Sequence, residues 1–440
     1  LKKELEKLLL ENNQKKILSQ IAKFSEKDQR KLLQQLYNTK NIVEIFSHRK
    51  QEVSKEKIVP IRKCEVPKKT DLLFAENYLT KGKVGIILMA GGQGSRLGKK
   101  DPKGFLPITS VTKKSLFQYF CEKLLSAQKK YMITCYCSIM VSSENAREIK
   151  SYFIKNKFFG LKKAQVIFFE QEDVLLTDAS DNLLLSSKQY FAKGPNGNGG
   201  IFKSFYNSQA YLFFKNKGII DVSIIPIDNP IADPLMIDVI GFHKLNNNDI
   251  SVVAIKNDKK RKPQMGVLVN QGIKTKIVEY NEISSLDKKN AFLFYTGLVL
   301  ISMNFIEHLV EKNVKIPYHI AKKKASIYEK GKIIKKFIFK REKFIFDNFS
   351  YAKKIGIIAL PEETCYAAVK KLTGKDSLLE VKKKLLKRDN IIFSYITGKK
   401  IGTKMNFELS TDFLYPSKNL EDKWKGKKIS KNKYIDANLV

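Results

Sequence analysis

From residue 84 onward the chain alternates two kinds of segment, and this alternation limits its fold more than any other feature. The runs VGIILMA (84–90), YMITCYCSIMV (131–141), AQVIFF (164–169), VSIIPI (222–227) and ISVVAI (250–255) are short, apolar and rich in β-branched residues, as strands buried on both faces are. Between them, SLFQYFCEKLLSAQKKY (115–131), ENAREIKSYF (144–153) and IFKSFYNSQAYLFFK (201–215) carry apolar residues at helical spacing. Strand and helix in turn predict βαβ units, and so an α/β fold with a mixed, mostly parallel sheet covered on both faces. Ligands of such sheets bind beyond the carboxyl ends of the strands.

A chain of 440 residues, 43% of them hydrophobic, exceeds what one core usually holds, so more than one domain is expected. Residues 1–80 read as a helical N-terminal region, 81–370 as the α/β domain and 371–440 as a small C-terminal region. The helical reading rests on LKKELEKLLLENNQKKILSQIAKF and EKDQRKLLQQLYN, where Leu and Ile recur at helical spacing among charges. No run is long and apolar enough to span a membrane and no signal-peptide pattern opens the chain, which predicts a cytoplasmic protein, a monomer or weak homo-oligomer. A first residue of Leu suggests that the start of the chain is missing. Five scattered cysteines without a CxxC pair, and four distant histidines, indicate neither a disulfide framework nor a zinc site.

The formal charge of +38 invites a nucleic-acid reading. The lysines are spread through every segment, however, and dispersed charge reads as a solvated surface. Only the tail KWKGKKISKNK (423–433) gathers them.

The loop after the first strand run, GGQGSRLG, holds four glycines in eight residues. Glycine lets backbone N–H groups approach phosphate oxygens closely. The loop is not a Walker A motif, because Gln93 stands where a glycine is needed and Lys100 where Ser or Thr is needed. It is not a dinucleotide fingerprint either, because Leu97 occupies the third glycine position.

LMAGGQGSRLGKKDPKG is similar to the signature of UTP-dependent sugar-1-phosphate uridylyltransferases, above all the eukaryotic-type UDP-N-acetylhexosamine pyrophosphorylases. Arg96 and Lys103 keep the signature's interval. VIFFEQ (166–171), GPNGNGG (194–200), IDNP (227–230), VEYNEIS (278–284) and EKFIFDNFSYAKK (342–354) resemble further segments of the family, so the likeness covers about 84–371. The resemblance implies a Rossmann-like nucleotide-diphospho-sugar transferase domain. It also implies attack of a sugar 1-phosphate on the α-phosphorus of UTP, with pyrophosphate leaving in line and magnesium or manganese as cofactor. It assigns Arg96, Lys103 and Lys370 to catalysis, with Lys371 and Lys375 as neighbours of the last. Gly91, Gly92, Gly94, Gln171, Gly197 and Asp228 fall to the nucleotide, Asp228 also to the metal. Asn198, Glu279, Leu298, Phe344 and Phe346 fall to the sugar. Alternating Phe in KFIF is equally what a half-buried strand shows, and Asp-Asn-Pro at 228–230 also suits a turn.

Three positions depart from the pattern. Asn196 replaces an acid, Leu298 in YTGL (295–298) stands where an amide is expected, and EDVLLTD after Gln171 lacks the usual Gly-Met-x-Pro. The sugar is therefore open between N-acetylglucosamine 1-phosphate, the leading reading, and glucose 1-phosphate or a broad range. Outside the enzyme class stand a basic nucleic-acid-binding protein and a nucleotide-sugar sensor without catalysis.

Overall fold

Val84–Met89, the first of the expected strands, forms the pivot of a mixed sheet of ten strands among the described residues. The structure is a computed structural model and describes residues 2–39, 57–92, 94, 98, 101–257, 265–279, 282–283, 290–399, 407–428 and 433–438. Across the sheet the order is Ile58–Pro60, Val267–Gln271, Leu293–Ser302, Asp221–Pro226, Val84–Met89, Tyr136–Val141, Val166–Glu170. The last four run parallel. Leu293–Ser302 pairs antiparallel with Asp221–Pro226 and Ile250–Lys256, and Ile250–Lys256 pairs parallel with Ile355–Ala359.

The chain goes outward from Val84–Met89 to Tyr136–Val141 and Val166–Glu170, then returns to lay Asp221–Pro226 on the other side of its starting strand. This reversal makes a topological switch point, and it opens a crevice at the carboxyl ends of Val84–Met89 and Asp221–Pro226. Both strands are buried along almost their whole length, which is why they read as continuous apolar runs.

Helix positions follow the expected spacing, with boundaries set by local chemistry. Leu116–Tyr131 ends where Met132 turns left-handed at φ 52°, so the run 131–141 becomes strand only from Tyr136. The stretch 201–215 splits into Ile201–Tyr206 and Gln209–Asn216, because the Ser208 hydroxyl caps the second helix by accepting from the Ala210 N–H at 3.1 Å.

The chain forms two units that interleave in sequence, rather than following the consecutive stretches 1–80, 81–370 and 371–440. One unit comprises 1–55, 171–201 and 315–348. Here the helices Lys2–Glu11, Lys15–Ile21 and Glu26–Asn38 bury Leu9, Ile17, Leu32 and Leu36 against Val174, Leu175, Leu185 and Phe191. Gln14 ties these segments together, donating to the Asp181 carbonyl at 2.9 Å and accepting from the Leu183 N–H at 2.8 Å. Three short amphipathic helices expose an apolar stripe that local sequence cannot cover, so a segment some 160 residues away supplies the cover. A long hairpin, His319–Glu329 with Lys332–Glu342, adds Ile327 and Ile338 to a second apolar cluster with Leu176 and Leu184.

The other unit holds the sheet, the helix Lys69–Thr80 and the whole C-terminal stretch. Residues 371–440 are not a separate appendage, because the Glu408 carboxylate accepts from the backbone N–H groups of Val111 and Thr112 at 3.0 and 2.9 Å. The Ser126 and Thr411 hydroxyls also meet at 2.7 Å. Phe393, Phe407, Leu409, Phe413 and Trp424 form a local apolar cluster, and the Trp424 indole donates to the Ala437 carbonyl at 3.1 Å. No helix among the described residues is long and apolar enough to cross a membrane.

Trp424 is the sole tryptophan of the chain, so its fluorescence reports on this cluster. Phe393, fully buried with its ring 6.0 Å from that of Trp424, should cost about 3–5 kcal/mol when cut to Ala. Denaturant unfolding followed by Trp424 emission should show the loss as a lowered midpoint.

Candidate functional site

The loop leaving Val84–Met89 enters the crevice at the switch point. Gly92 is exposed, and a Cβ placed on it would meet no atom within 4 Å, so its backbone is open to a ligand. Gly91 is buried beside it. The Gly94 N–H donates to the Asp101 carbonyl at 3.3 Å, which closes the loop on itself and leaves this amide less available than the sequence suggests. Arg96 lies outside the described residues.

Lys103 opens a single turn of 3-10 helix, Lys103–Phe105, behind Pro102. Gly104 is required there by packing, since a Cβ would come within 2.0 Å of the Phe117 ring. The Lys103 ammonium reaches the Asp228 carboxylate at 3.0 Å, with side-chain exposures of 17% and 19%. The pair is sheltered enough to be less screened than a surface pair, yet open on one side.

Asp228 lies just beyond the carboxyl end of Asp221–Pro226, and the two aspartates at the ends of this strand have opposite fates. Asp221 is fully buried, accepting from the Tyr78 hydroxyl at 2.7 Å and pairing with Lys244 at 3.1 Å. Burial opposes its charge, but hydrogen bonding to His243 and Tyr78 and the charge of Lys244 outweigh burial and lower its pKa. Asp221 is thus a structural anchor, while Asp228 keeps a water-facing carboxylate.

Lys370 arrives from a distant part of the chain. The Val369 N–H donates to the Asp228 carbonyl at 2.8 Å, and the Lys370 N–H to the Asp376 carbonyl at 2.8 Å. Burial works against its ammonium, but the Tyr366 phenol, Asp228 and Asp376 outweigh burial and raise its pKa, so it is held charged. Lys371 and Lys375 are exposed. Their alternative claim on the site loses force, because only Lys370 is turned inward toward Asp228. Among the described residues no group of three or more His, Cys, Asp or Glu side chains could hold a metal by itself.

Glu279 follows the strand Lys274–Val278 and is half-buried. Leu298 belongs to a β-bulge, since the ladder to Ile250–Lys256 breaks between Tyr295 and Val299, with Gly297 at φ +87°. Leu298 is 2% exposed and packs in the apolar core. An apolar side chain at a position expected to be polar has been drawn inward.

The remaining predicted residues lie in the first unit. Gln171 is buried and directly follows Val166–Glu170. GPNGNGG and EKFIFDNF, far apart in sequence, lie against each other: the Lys343 N–H donates to the Asn196 carbonyl at 2.9 Å and the Gly199 N–H to the Lys343 carbonyl at 2.8 Å. Gly197, at φ +76°, allows this approach, for a Cβ there would sit 2.4 Å from the Lys343 oxygen. The Asn198 side-chain oxygen accepts from the Ile345 N–H at 3.1 Å, so part of this side chain holds the loop rather than facing a ligand. Phe344 and Phe346 do not alternate on a strand, since Ile345–Tyr351 is a 3-10 helix. Their ring centroids lie 5.1 Å apart with the planes tilted by 31°, and His319 joins them 4.5 Å from Phe344 and 3.0 Å from the Asp347 carboxylate.

Several supporting residues escaped the sequence reading. Asn229 was legible only as part of a turn, and Gly104 only as the end of Pro-Lys-Gly. Lys123, a buried helix residue, had no signal at all. Its ammonium donates to the carbonyls of Ala232 and, at 2.9 Å, Pro230, bracing the loop that carries Asp228.

Comparison with known proteins gives the family and the fold. The model of the UTP--glucose-1-phosphate uridylyltransferase family matches residues 30–426. The UDP-N-acetylglucosamine pyrophosphorylase of Saccharomyces cerevisiae is 32% identical over 292 residues, which are 61% of this chain and 60% of that protein. The probable UDP-N-acetylglucosamine pyrophosphorylase of Encephalitozoon cuniculi is 30% identical over 310 residues, 70% of this chain and 86% of its relative. In fold, the chain is similar to the crystal structure of the uridine diphosphate N-acetylglucosamine pyrophosphorylase from Trypanosoma brucei, with a TM-score of 0.77 at 21% identity, covering 94% of this chain and 93% of that one. The match thus spans less than two thirds of the yeast relative's length but most of the E. cuniculi protein. With the family model aligned over residues 30–426, from within the helix Glu26–Asn38 to the C-terminal cluster, the chain belongs to the UTP--glucose-1-phosphate uridylyltransferase family.

Proposed function

We propose that this protein is a UTP:sugar-1-phosphate uridylyltransferase that makes UDP-N-acetylglucosamine and pyrophosphate from UTP and N-acetylglucosamine 1-phosphate. The observation that carries the reading is the meeting of Lys103, Asp228 and Lys370 beside the open Gly92 backbone at the switch point. An oxygen of the sugar phosphate forms a bond to the α-phosphorus of UTP while the bond to the bridging oxygen breaks. The electron pair leaves on pyrophosphate, and no protein nucleophile is consumed. Catalysis then rests on alignment and on cations placed where charge moves.

In this reading the amides of Gly91 and Gly92 hold the nucleotide backbone, and Lys103, with Arg96, neutralises the leaving pyrophosphate. Lys370 faces the phosphate under attack. Gln171 reads uracil, Gly197 and Asn198 flank the uridine and sugar, and Glu279, Phe344 and Phe346 form the sugar contacts. Asp228 fits a divalent ion such as magnesium, which accepts one protein carboxylate and takes its other ligands from phosphates and water. Such an ion would screen the triphosphate charge. Two relatives named for UDP-N-acetylglucosamine support the choice of sugar. A second reading, glucose 1-phosphate or several sugars, draws on Leu298, which brings no hydrogen-bonding group to the position where an amide is expected. Five free cysteines accord with a cytoplasmic location.

Pyrophosphate release from UTP and magnesium, measured with the 1-phosphates of N-acetylglucosamine, N-acetylgalactosamine, glucose and galactose, should be fastest with N-acetylglucosamine. A higher rate with glucose would move the protein to the second reading. No release with any sugar, together with UDP-sugar binding, would make it a sensor. Lys103→Ala and Lys370→Ala should each lower turnover by about 10²–10³ with the fold intact by circular dichroism. Near-normal turnover would remove that lysine from the reaction. Leu298→Asn puts an amide among apolar atoms and should destabilise the fold by about 1–3 kcal/mol, read as a lower melting temperature. The same sugar panel on this variant shows whether position 298 bears on sugar choice.

A further inference from the structure

We propose that Asn229 is a positioning residue that fixes Lys370 beside Asp228, its carboxamide standing in for a peptide group between the 227–230 loop and the segment 365–370. The role given to Lys370 rests on the proposed function; the clasp itself does not.

Asn229 is 3% exposed. Its Nδ2 donates to the Cys365 carbonyl at 2.8 Å, and its Oδ1 accepts from the Ala367 N–H at 2.9 Å. One residue earlier, the Asp228 carbonyl accepts from the Val369 N–H at 2.8 Å. Cys365 is the last residue of the short helix Glu362–Cys365, and from Tyr366, at φ −140° and ψ 113°, the chain runs extended, so the N–H groups of Ala367 and Val369, two residues apart, face one side. The 365–370 segment therefore has an edge partner without a neighbouring strand. The side-chain amide supplies both the donor and the acceptor that a strand would have supplied.

The consequence falls on the next residue. Segment 365–369 is tied to the loop that carries Asp228, and the Lys370 N–H is held from the far side by the Asp376 carbonyl. With both sides fixed, the Lys370 side chain leaves the backbone in one direction, with its ammonium 5.7 Å from the Tyr366 ring centroid. Asp228 meanwhile faces Lys103 at 3.0 Å. Asn229 thus couples two lysines that enter the site from chain positions more than 250 residues apart. Few residue types can do this. Aspartate keeps the acceptor but sets an oxygen against the Cys365 carbonyl, alanine offers neither group, and glutamine is one methylene too long for the same register.

The test uses the full chain. Asn229→Ala should lower kcat by about 10²-fold, the loss expected when a catalytic group shifts by about an ångström, with the KM for UTP little changed. In a Lys370→Ala background the same substitution should cost less than about 3-fold, because residues acting as one unit are not additive. Equal losses in the two backgrounds would overturn the proposal. Hydrogen exchange should show reduced protection confined to the 365–370 peptide, and amine labelling of Lys370 should rise while that of Lys371 and Lys375 stays constant. Unchanged exchange and labelling would show that no clasp exists. If the alanine variant does not fold, Asn229→Asp, of the same size and retaining the Ala367 bond, takes its place with the same readouts. If the wild-type protein transfers uridylyl to no sugar, the functional reading falls alone, and exchange and labelling still decide the role of Asn229.

Discussion

The parallel pairing of Val84–Met89 with Asp221–Pro226 is the constraint on which the rest depends. It places next to each other two strands that more than a hundred residues separate, and it does so where the order of the sheet reverses. At such a reversal the loops leaving the two adjacent parallel strands turn to opposite faces to begin their crossovers, which makes room for a crevice between them. Gly91 and Gly92 follow the carboxyl end of one strand of this pair and Asp228 that of the other. Lys103 and Asp228 take their places from those two loops, and Lys370 from a segment tied to the second.

The Asp228 loop is held more firmly than a surface turn needs to be. Lys123 donates to the carbonyls of Pro230 and Ala232, Asn229 clasps Cys365 and Ala367, and the Ser223 hydroxyl donates to the Pro234 carbonyl at 2.7 Å. Loops that carry reacting groups work best when their own polar groups are satisfied, because each rearrangement avoided during the reaction is barrier that does not have to be crossed. A buried lysine braced by two carbonyls would be costly if left unpaired, and here its pairing is what makes the loop rigid. The same logic recurs in the first unit. Gly197 and Gly199 let one loop lie directly on the backbone of residue 343, and Asn198 spends its side-chain oxygen on Ile345.

The charge excess takes on a definite meaning at the site. Most lysines are exposed and dispersed, as their distribution along the chain implied. Lys103, Lys114, Lys123 and Lys370 are among those drawn inward: Lys103 meets the Asp228 carboxylate, Lys114 the Glu122 carboxylate and Lys123 two backbone carbonyls, while the Lys370 ammonium lies beside the Tyr366 ring. What separates them from the exposed lysines is the partner that burial imposes, since a buried ammonium without one is too costly to persist; at Lys123 burial, with the charge of Arg388, still pushes the amine pKa down to about 7.

Sequence by itself determined the local elements and the chemistry of the loops. Apolar runs rich in β-branched residues read as buried strands, stretches of helical period as helices packed on one face, and glycines beside cations as a loop whose amides suit phosphate oxygens. These signals are carried by near neighbours, so they survive without the fold. Tertiary structure decided what depends on distant partners. It gave the three N-terminal helices to the 171–201 segment and integrated residues 371–440 with the sheet, because an apolar stripe is satisfied by whichever surface arrives. It separated Lys370 from Lys371 and Lys375, three similar lysines until one of them is turned toward Asp228. It drew Leu298 into the core and started a 3-10 helix at Ile345, within KFIF, where a strand was an open reading. The Asn229 clasp belongs to the same class, for a carboxamide can replace a peptide group only where folding brings an unpaired backbone edge within its reach.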